Sequence, residues 1–242
     1  NNLGNLFGDF GQLGQAIKSY KNAMALVRAL GKPTLFITMT MDIKCPEVMS
    51  QLKPGQSPYD HPELLCRIFE IKRKKLMSLI IKDGIFGKCI AHVAVIEFQK
   101  RGAPHSHILI WIENFDMTPH NIDNIISAEI PPRGEEGSDE RAFHDLVIEK
   151  MIHGPCGRNY NTRLACCSTT GTCKRKFPRD LKPRTVVGDG CFPEYRRRSP
   201  SDGGHTGRKR VGGVNVEIDN GWVVPYSPFL LTKFRCHINV EF

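Results

Sequence analysis

An α+β domain with helices on one face of an antiparallel sheet is the fold class this sequence predicts. Three observations carry the prediction. Leu35–Thr40 reads as a strand, Pro62–Lys82 spaces its apolar residues at helical intervals, and two runs of period-two alternation flank a Lys-Arg-Gly-Ala-Pro turn. A helix, strand, helix, strand-hairpin order places helices on one side of a sheet and leaves the other side open.

The elements follow in order. Gln15–Leu30 reads as a helix closed by Gly31, and Leu35–Thr40 as the first strand. Pro62–Lys82 is an amphipathic helix with Leu65, Ile68, Phe69, Leu76, Leu79 and Ile80 on its apolar face. Its Lys-Arg-Lys-Lys run at 72–75 reads as a solvated face in preference to a DNA clamp. Lys88–Gln99 and His105–Ile112 form the hairpin, to which Ile90, Ala94 and Ile96 supply core. Pro131–Asp139 is a linker, Arg141–Met151 a short helix, and Asn159–Gly213 an irregular, basic, cysteine-bearing insertion. Val214–Ile218, Trp222–Val224 and Cys236–Val240 are short strands, and no internal repeat is present. The chain thus divides into 15–131 with the hairpin, 132–213 with linker, short helix and insertion, and 214–242 with the closing strands.

The hairpin carries the chemistry. Ile108, Ile110 and Ile112 share one face of its second strand, so His105 and His107 share the other. Glu97 and Gln99 lie on a common face of the first strand. Pairing Gln99 with His105 and Glu97 with His107 would bring four donors together across the ladder. Two imidazoles with a carboxylate or amide oxygen suit Mn, Co, Ni or Zn better than an all-oxygen Mg cage, although Mg remains usable where it is abundant. An isolated His-x-His is more often two polar residues on a wet strand. A cupin jelly roll would need a carboxylate four or five residues after the second histidine, where this chain has Trp111 and Ile112.

Composition narrows the function classes. The chain has 242 residues, 40% of them hydrophobic, enough for one good core. No apolar run approaches the roughly 18 residues of a membrane span, and the start lacks the layout of a signal peptide, so no membrane association is expected. The missing initiator Met suggests a piece of a longer polypeptide. Of the net charge of +9, most sits between Lys174 and Arg210, where twelve Lys or Arg face four acids. With Phe177, Phe192 and Tyr195 interleaved, Lys174, Arg175, Lys176, Arg196, Arg197 and Arg198 are placed to meet phosphates while aromatics stack on unpaired bases. A solvated loop is the plainer reading of such a cluster.

Nine cysteines without a secretory signal argue for reduced thiols. His153, Cys156, Cys167 and Cys173 have a spacing that can wrap one tetrahedral zinc, and Cys166 can replace its neighbour. Free cysteines packed as small apolar residues are the alternative, and Cys45, Cys66, Cys89, Cys191 and Cys236 read that way.

The run Glu97-Phe-Gln-Lys-Arg-Gly-Ala-Pro-His-Ser-His-Ile-Leu-Ile-Trp111 closely resembles the two-histidine motif of the Helitron replication-initiator domain, a relative of rolling-circle HUH endonucleases. Gly31–Thr40, Met151–Gly157, Gly171–Pro178, Tyr195–Arg198, Asp219–Leu231 and His237–Glu241 continue the resemblance, which covers about residues 20–242. It implies a ferredoxin/RRM-like sheet of the HUH endonuclease kind. It further implies a divalent ion, Mn or Mg, held by His105, His107 and a third ligand on the scissile phosphate of single-stranded DNA. Lys100 or Arg101 would lie near that phosphate. A tyrosine would attack it and keep a 5′-phosphotyrosine link, with a helicase fused to the domain and the nucleus as the place of action.

In the family two tyrosines four residues apart follow the His-Ile-Asn-Val-Glu block on one helix. This sequence ends at Phe242, so a domain truncated before that helix is expected, with Tyr226 the fallback nucleophile. Departures near the first strand, Asp42 and Cys45 among them, leave a second expectation open: a decayed element or a non-catalytic, zinc-stabilised DNA-binding module.

Overall fold

The computed structural model describes residue 21 and residues 23–98, 102–157, 160, 164–169, 171–188 and 192–242. Its centre is a four-stranded antiparallel sheet of β1 (Leu35–Thr40), β2 (Cys89–Phe98), β3 (Pro104–Ile112) and β6 (Ile238–Glu241), in the order β2-β3-β1-β6. A helix over 23–30 (α1) precedes β1, and the one-turn helix Pro46–Met49 (α2) follows it. The long helix α3 (Pro62–Ile81) crosses from β1 to β2, and α5 (Asp139–Lys150) lies in the crossover from β3 to β6. A β-α-β-β-α-β order with this strand sequence is the ferredoxin-like split arrangement.

Alternation explains which face is which. Leu35, Ile37 and Met39 of β1, Ile108 and Ile110 of β3, and Ile238 and Val240 of β6 are all at most 1% exposed. They meet Leu65, Phe69, Leu76, Leu79 and Ile80 from α3 in one core. At roughly 25 cal/mol per Å² of apolar surface, each such side chain stabilises the fold by about 1.5–3 kcal/mol. The intervening residues Thr38, Thr40, His105 and His107 must then occupy the opposite face. Of the 72–75 run, Lys74 and Lys75 are exposed as a solvated face would be, while Lys72, paired to Glu47 at 2.9 Å, and Arg73, paired to Glu70 at 2.7 Å, are largely covered.

The hairpin register differs from the sequence expectation. Glu97 faces His105 and Val95 faces His107, two residues away from the expected pairing of Glu97 with His107. Because a slip of two preserves side-chain alternation, the histidines and Glu97 still share a face. Gln99, Lys100 and Arg101 lie outside the described residues.

Several elements were not foreseen. The helices α4 (Pro119–Ile125) and α6 (Pro228–Phe234) are seven residues each, too short for periodicity to reveal. Both nevertheless begin with Thr-Pro or Ser-Pro, the pairing of a capping residue with proline at the first helical position. Helix α5 starts at Asp139, two residues earlier than expected, because the Ser138 hydroxyl accepts the Arg141 amide at 3.1 Å. Val214–Ile218 (β5) is a strand, but it pairs with β4 (Gly207–Val211), inside the stretch expected to be irregular, and the two form a separate sheet. The Gly212-Gly213 turn that joins them, with φ of 58° and 91°, is a hairpin signal. Trp222 belongs to a 3-10 turn, and Val223 makes an isolated bridge to Ile152.

Of the arginine triplet at 196–198, Arg197 is turned inward, which corrects its expected role in DNA contact, while Arg196 and Arg198 keep 38% and 36% of their side chains exposed and pair with carboxylates. Arg197, 5% exposed, donates to the carbonyls of Asn220 and Val223, both at 2.7 Å. Arg198 grips the Glu129 carboxylate through Nε at 2.8 Å and Nη2 at 2.7 Å, and Arg196 reaches it at 3.2 Å. Burial pushes the Glu129 carboxyl up, but the Arg198 and Arg196 contacts outweigh it and hold the pKa below the ordinary value. Glu129→Ala removes hydrogen bonds to a charged group, but the arginines it leaves are about a third exposed and Arg196 keeps Asp123 at 3.2 Å, so the loss in urea denaturation will be about 1.5–3 kcal/mol. A loss under 1 kcal/mol would contradict this.

Candidate metal centres and nucleic-acid face

On the open face of the sheet, β3 presents His105 and His107 with their rings edge-to-face, centroids 4.4 Å apart. The neighbouring strand β1 fixes both. Its register sets Thr40 opposite His105 and Thr38 opposite His107. Thr40 Oγ1 lies 2.8 Å from His105 Nδ1, and Thr38 Oγ1 lies 3.1 Å from His107 Nδ1. Phe36 stacks on the His107 ring at 5.4 Å and 12°. When each Nδ1–H donates to its threonine oxygen, each Nε2 keeps a lone pair free.

The two Nε2 atoms converge to 3.1 Å. Two nitrogens about 2.1 Å from a common ion at a right angle would be about 3.0 Å apart, so the pair fits adjacent ligand positions of one cation. Glu97 Oε2 stands 3.8 Å from His107 Nε2, with the Glu97 side chain 64% exposed. The donor set is therefore two imidazoles and a nearby carboxylate on an accessible surface. Burial first, and then the His107 charge, depress the His105 pKa, which favours the neutral ligand form. Thr40→Val keeps the shape and removes the oxygen that orients His105. It will weaken Mn2+ binding about 10- to 100-fold by isothermal titration; unchanged affinity would refute the orienting role.

A second donor cluster forms beyond α5. Nε2 of His153 and the thiols of Cys156, Cys166 and Cys173 all lie within 4.8 Å of one another. Cys156 Sγ is 3.6 Å and Cys173 Sγ 3.3 Å from His153 Nε2. Tetrahedral ligands at zinc distances would be separated by about 3.5–3.8 Å. The cluster can hold a metal such as zinc, and its soft donors fit that metal better than Mn or Mg. Cys166 takes the place expected for Cys167, whose side chain is 8% exposed and belongs to the core. Neighbouring residues along an extended segment point to opposite sides, and spacing does not say which one faces in. Among the described cysteines none is in a disulfide.

Local turns assemble this cluster. Gly154 has φ of +82°, and a Cβ there would stand 2.6 Å from the Cys156 amide nitrogen, so the tight turn from His153 to Cys156 requires glycine. Lys174 N donates to Cys166 O at 2.7 Å and Lys176 N to Cys173 O at 2.9 Å, closing the Cys173–Lys176 turn over the centre. Burial resists ionisation of Cys173, yet the backbone amides of Phe177 and Arg175 outweigh it and lower the pKa of that thiol. Burial, then the Arg175 charge, pushes His153 down to about 4. Phe177 stacks on the His153 ring at 4.2 Å.

Tyr226 does not fit the fallback role of nucleophile. It is 1% exposed, and its hydroxyl donates to the Glu129 carbonyl at 2.9 Å. Burial raises its pKa well above the ordinary phenol value. Among the described residues no tyrosine makes a hydrogen bond or ring contact with His105 or His107. Lys174, Arg175 and Lys176 are exposed beside the cysteine cluster, and of the expected basic contacts they alone remain on the surface among the described residues without a carboxylate partner.

Sequence reasoning did not single out His237. Its ring Nδ1–H donates to the Lys150 carbonyl at 2.8 Å, while its own carbonyl accepts the Thr40 amide at 2.9 Å. Burial chiefly, with Arg175 and Lys209, holds its pKa below the ordinary value against the raising effect of the Lys150 bond. The folded state therefore takes up this proton later than the unfolded chain. Stability is whole above about pH 6.5 and declines as pH falls from there toward the folded value. His237→Asn keeps a donor at the Nδ1 position, so its melting temperature will fall less steeply between pH 7 and 5. An equally steep fall would remove His237 from the acid response.

Together, fold and site define a class: a ferredoxin-like α+β domain that presents an oriented His-x-His pair on its open sheet face, with a Cys/His cluster alongside. Residues 12–110 match the family described as Helitron helicase-like domain at N-terminus. The match spans β1, α3, β2 and most of β3, and so includes both histidines. The Cys/His cluster lies outside it. No curated protein matches the chain. Among the described residues no helix is long and apolar enough to cross a membrane.

Proposed function

We propose that this domain binds single-stranded DNA and nicks and rejoins it in rolling-circle transposition of the Helitron type. His105, His107 and Glu97 hold a divalent ion, Mn or Mg, and the domain works with a fused helicase in the nucleus. The observation that carries this reading is the convergence of the two Nε2 atoms at 3.1 Å on an open sheet face, inside the matched segment.

A bound divalent ion neutralises charge on a phosphate oxygen and orients the phosphorus for in-line attack. Thr38 and Thr40 hold the imidazoles in the ligand tautomer, and the surface around Lys174–Lys176 attracts the strand. A tyrosine oxygen then bonds the phosphorus and the bond to the 3′ oxygen breaks, with the proton passing to the departing oxygen. Tyr226 is too buried to be that nucleophile, so the tyrosine comes from elsewhere. A second reading, a DNA-binding module without catalysis, is favoured by the absence of any tyrosine contact to the histidines among the described residues.

Cleavage of a labelled single-stranded oligonucleotide by the natural protein carrying this domain separates the two. The nicking reading expects a covalent protein–DNA adduct in Mn2+, none in EDTA, and none from His105→Ala or His107→Ala. Binding without any adduct under all conditions would support the module reading instead.

A further inference from the structure

The chain from Gly207 to Ile218 folds as a separate ribbon of two five-residue strands, β4 and β5, turned at Gly212-Gly213. Alternation gives it two unlike faces. At its foot Gly207 pairs with Ile218, which is 1% exposed, and a Cβ on Gly207 would stand 2.3 Å from Ile148 Cδ1 of α5. Lys209 rises from the same face toward the end of that helix, where its Nζ donates to the Ile148 carbonyl at 3.2 Å and the Ile152 carbonyl at 3.3 Å. On the other face Arg208, Arg210, Asn215 and Glu217 are all exposed. Arg210 stands opposite Asn215 and Arg208 opposite Glu217, the one acid of the ribbon. Arg210 Nε donates to the Gly213 carbonyl at 3.2 Å, which holds that guanidinium at the turn.

We propose that this ribbon binds double-stranded DNA, with its Arg208, Arg210 and Asn215 face in the major groove. The proposal goes beyond the single-strand reading given above and uses none of its residues. Charge is the first argument: the outer face sets two arginines against one carboxylate, and a polyanion is drawn to such a surface. Shape is the second. Paired strands lie about 4.8 Å apart, and a major groove about 12 Å wide admits a ribbon of two of them. Spacing is the third, since Arg208 and Arg210 stand two residues apart on one face, about 6.7 Å along the strand, close to two base-pair steps of about 3.4 Å. The residue types agree as well: a guanidinium matches the O6 and N7 acceptors of guanine, and an asparagine amide matches the edge of adenine. Because Lys209 and Gly207 fasten the opposite face to α5, the arginine face is held clear of the domain.

The test is fluorescence anisotropy of the whole chain in Mn2+ with a labelled duplex and with one of its strands alone. Arg208→Ala combined with Arg210→Ala should weaken duplex binding at least about tenfold and single-strand binding less than twofold. Arg208→Ala by itself leaves the Arg210 bond to the turn intact and should still show part of the loss, which excludes a disturbed turn as the cause. Lys74→Ala, on the outer face of α3, should change neither. A duplex whose guanines lack the N7 acceptor should bind the parent several-fold more weakly, and the double variant no differently from the ordinary duplex. No duplex binding by the parent, an unchanged duplex affinity in the double variant, an equal loss on both forms of DNA, or indifference to N7 overturns the proposal. His105→Ala reports on the single-strand reading, under which it should weaken the single strand alone. If it is silent there while the arginine variants lose the duplex, that reading falls and the ribbon stands; the converse pattern removes the ribbon alone.

Discussion

Replacing Cys173 by serine will strip the chain of a bound zinc and lower its melting temperature by about 10 °C or more. Four donors within 4.8 Å of one another supply a closed ligand set. Free energy from binding structural zinc is free energy of folding. In a domain of this size each kcal/mol moves the midpoint by about 2–4 °C, so the loss of several is readily seen. Among the described residues of 153–177 there are only isolated bridges and turns to hold the segment otherwise. Metal analysis of purified protein should give one zinc per chain for the parent and none for Cys173→Ser. Cys167→Ser is the discriminating partner: it should keep the zinc. Loss of zinc from the Cys167 variant with retention in Cys166→Ser would reverse the ligand assignment.

The second large effect concerns the histidine pair. His105→Ala or His107→Ala will reduce Mn2+ affinity at least about 100-fold, more than loss of a supporting oxygen, because each removes one of two converging donors. Neither substitution should disturb folding, since both side chains lie on the open face away from the isoleucines of β3. Glu97→Ala should cost less, about tenfold, because its carboxylate stands 3.8 Å off and mostly exposed. Circular dichroism unchanged from the parent would confirm that the loss is local. If the histidine variants bind Mn2+ as the parent does, the open face is not a metal site.

Much of this geometry was legible because it depends on alternation. Period-two spacing placed His105 and His107 opposite Ile108, Ile110 and Ile112, and that parity survived a register two residues from the expected one. The register itself was harder to read, because the same sequence pattern is satisfied by any even shift. The threonines that orient the imidazoles were invisible for a different reason: Thr38 and Thr40 meet the histidines only through pairing of strands nearly 70 residues apart. Likewise the arginines at 196–198 looked like a DNA patch from charge alone, and only tertiary structure supplies the buried Glu129 and the carbonyls that absorb them. The cysteine cluster was readable as a set of donors, but the choice between Cys166 and Cys167 depends on which side of one residue faces the centre. Short helices at Pro119 and Pro228 escaped periodicity yet carried proline start signals.

The two donor sets differ in softness: the thiols and imidazole of the Cys/His cluster would suit zinc in a closed site, while the imidazole pair on the sheet would leave positions open for a hard oxygen ligand.

The most direct measurement of the central claim is Mn2+ electron paramagnetic resonance, titrating the chain with and without a single-stranded oligonucleotide. The account predicts one Mn2+ site that disappears in the His105→Ala, His107→Ala double variant, and whose affinity rises when the oligonucleotide is present, since two ligands sharing one phosphate must strengthen each other reciprocally. Mn2+ binding that survives the double substitution, or that takes no notice of the oligonucleotide, would contradict it.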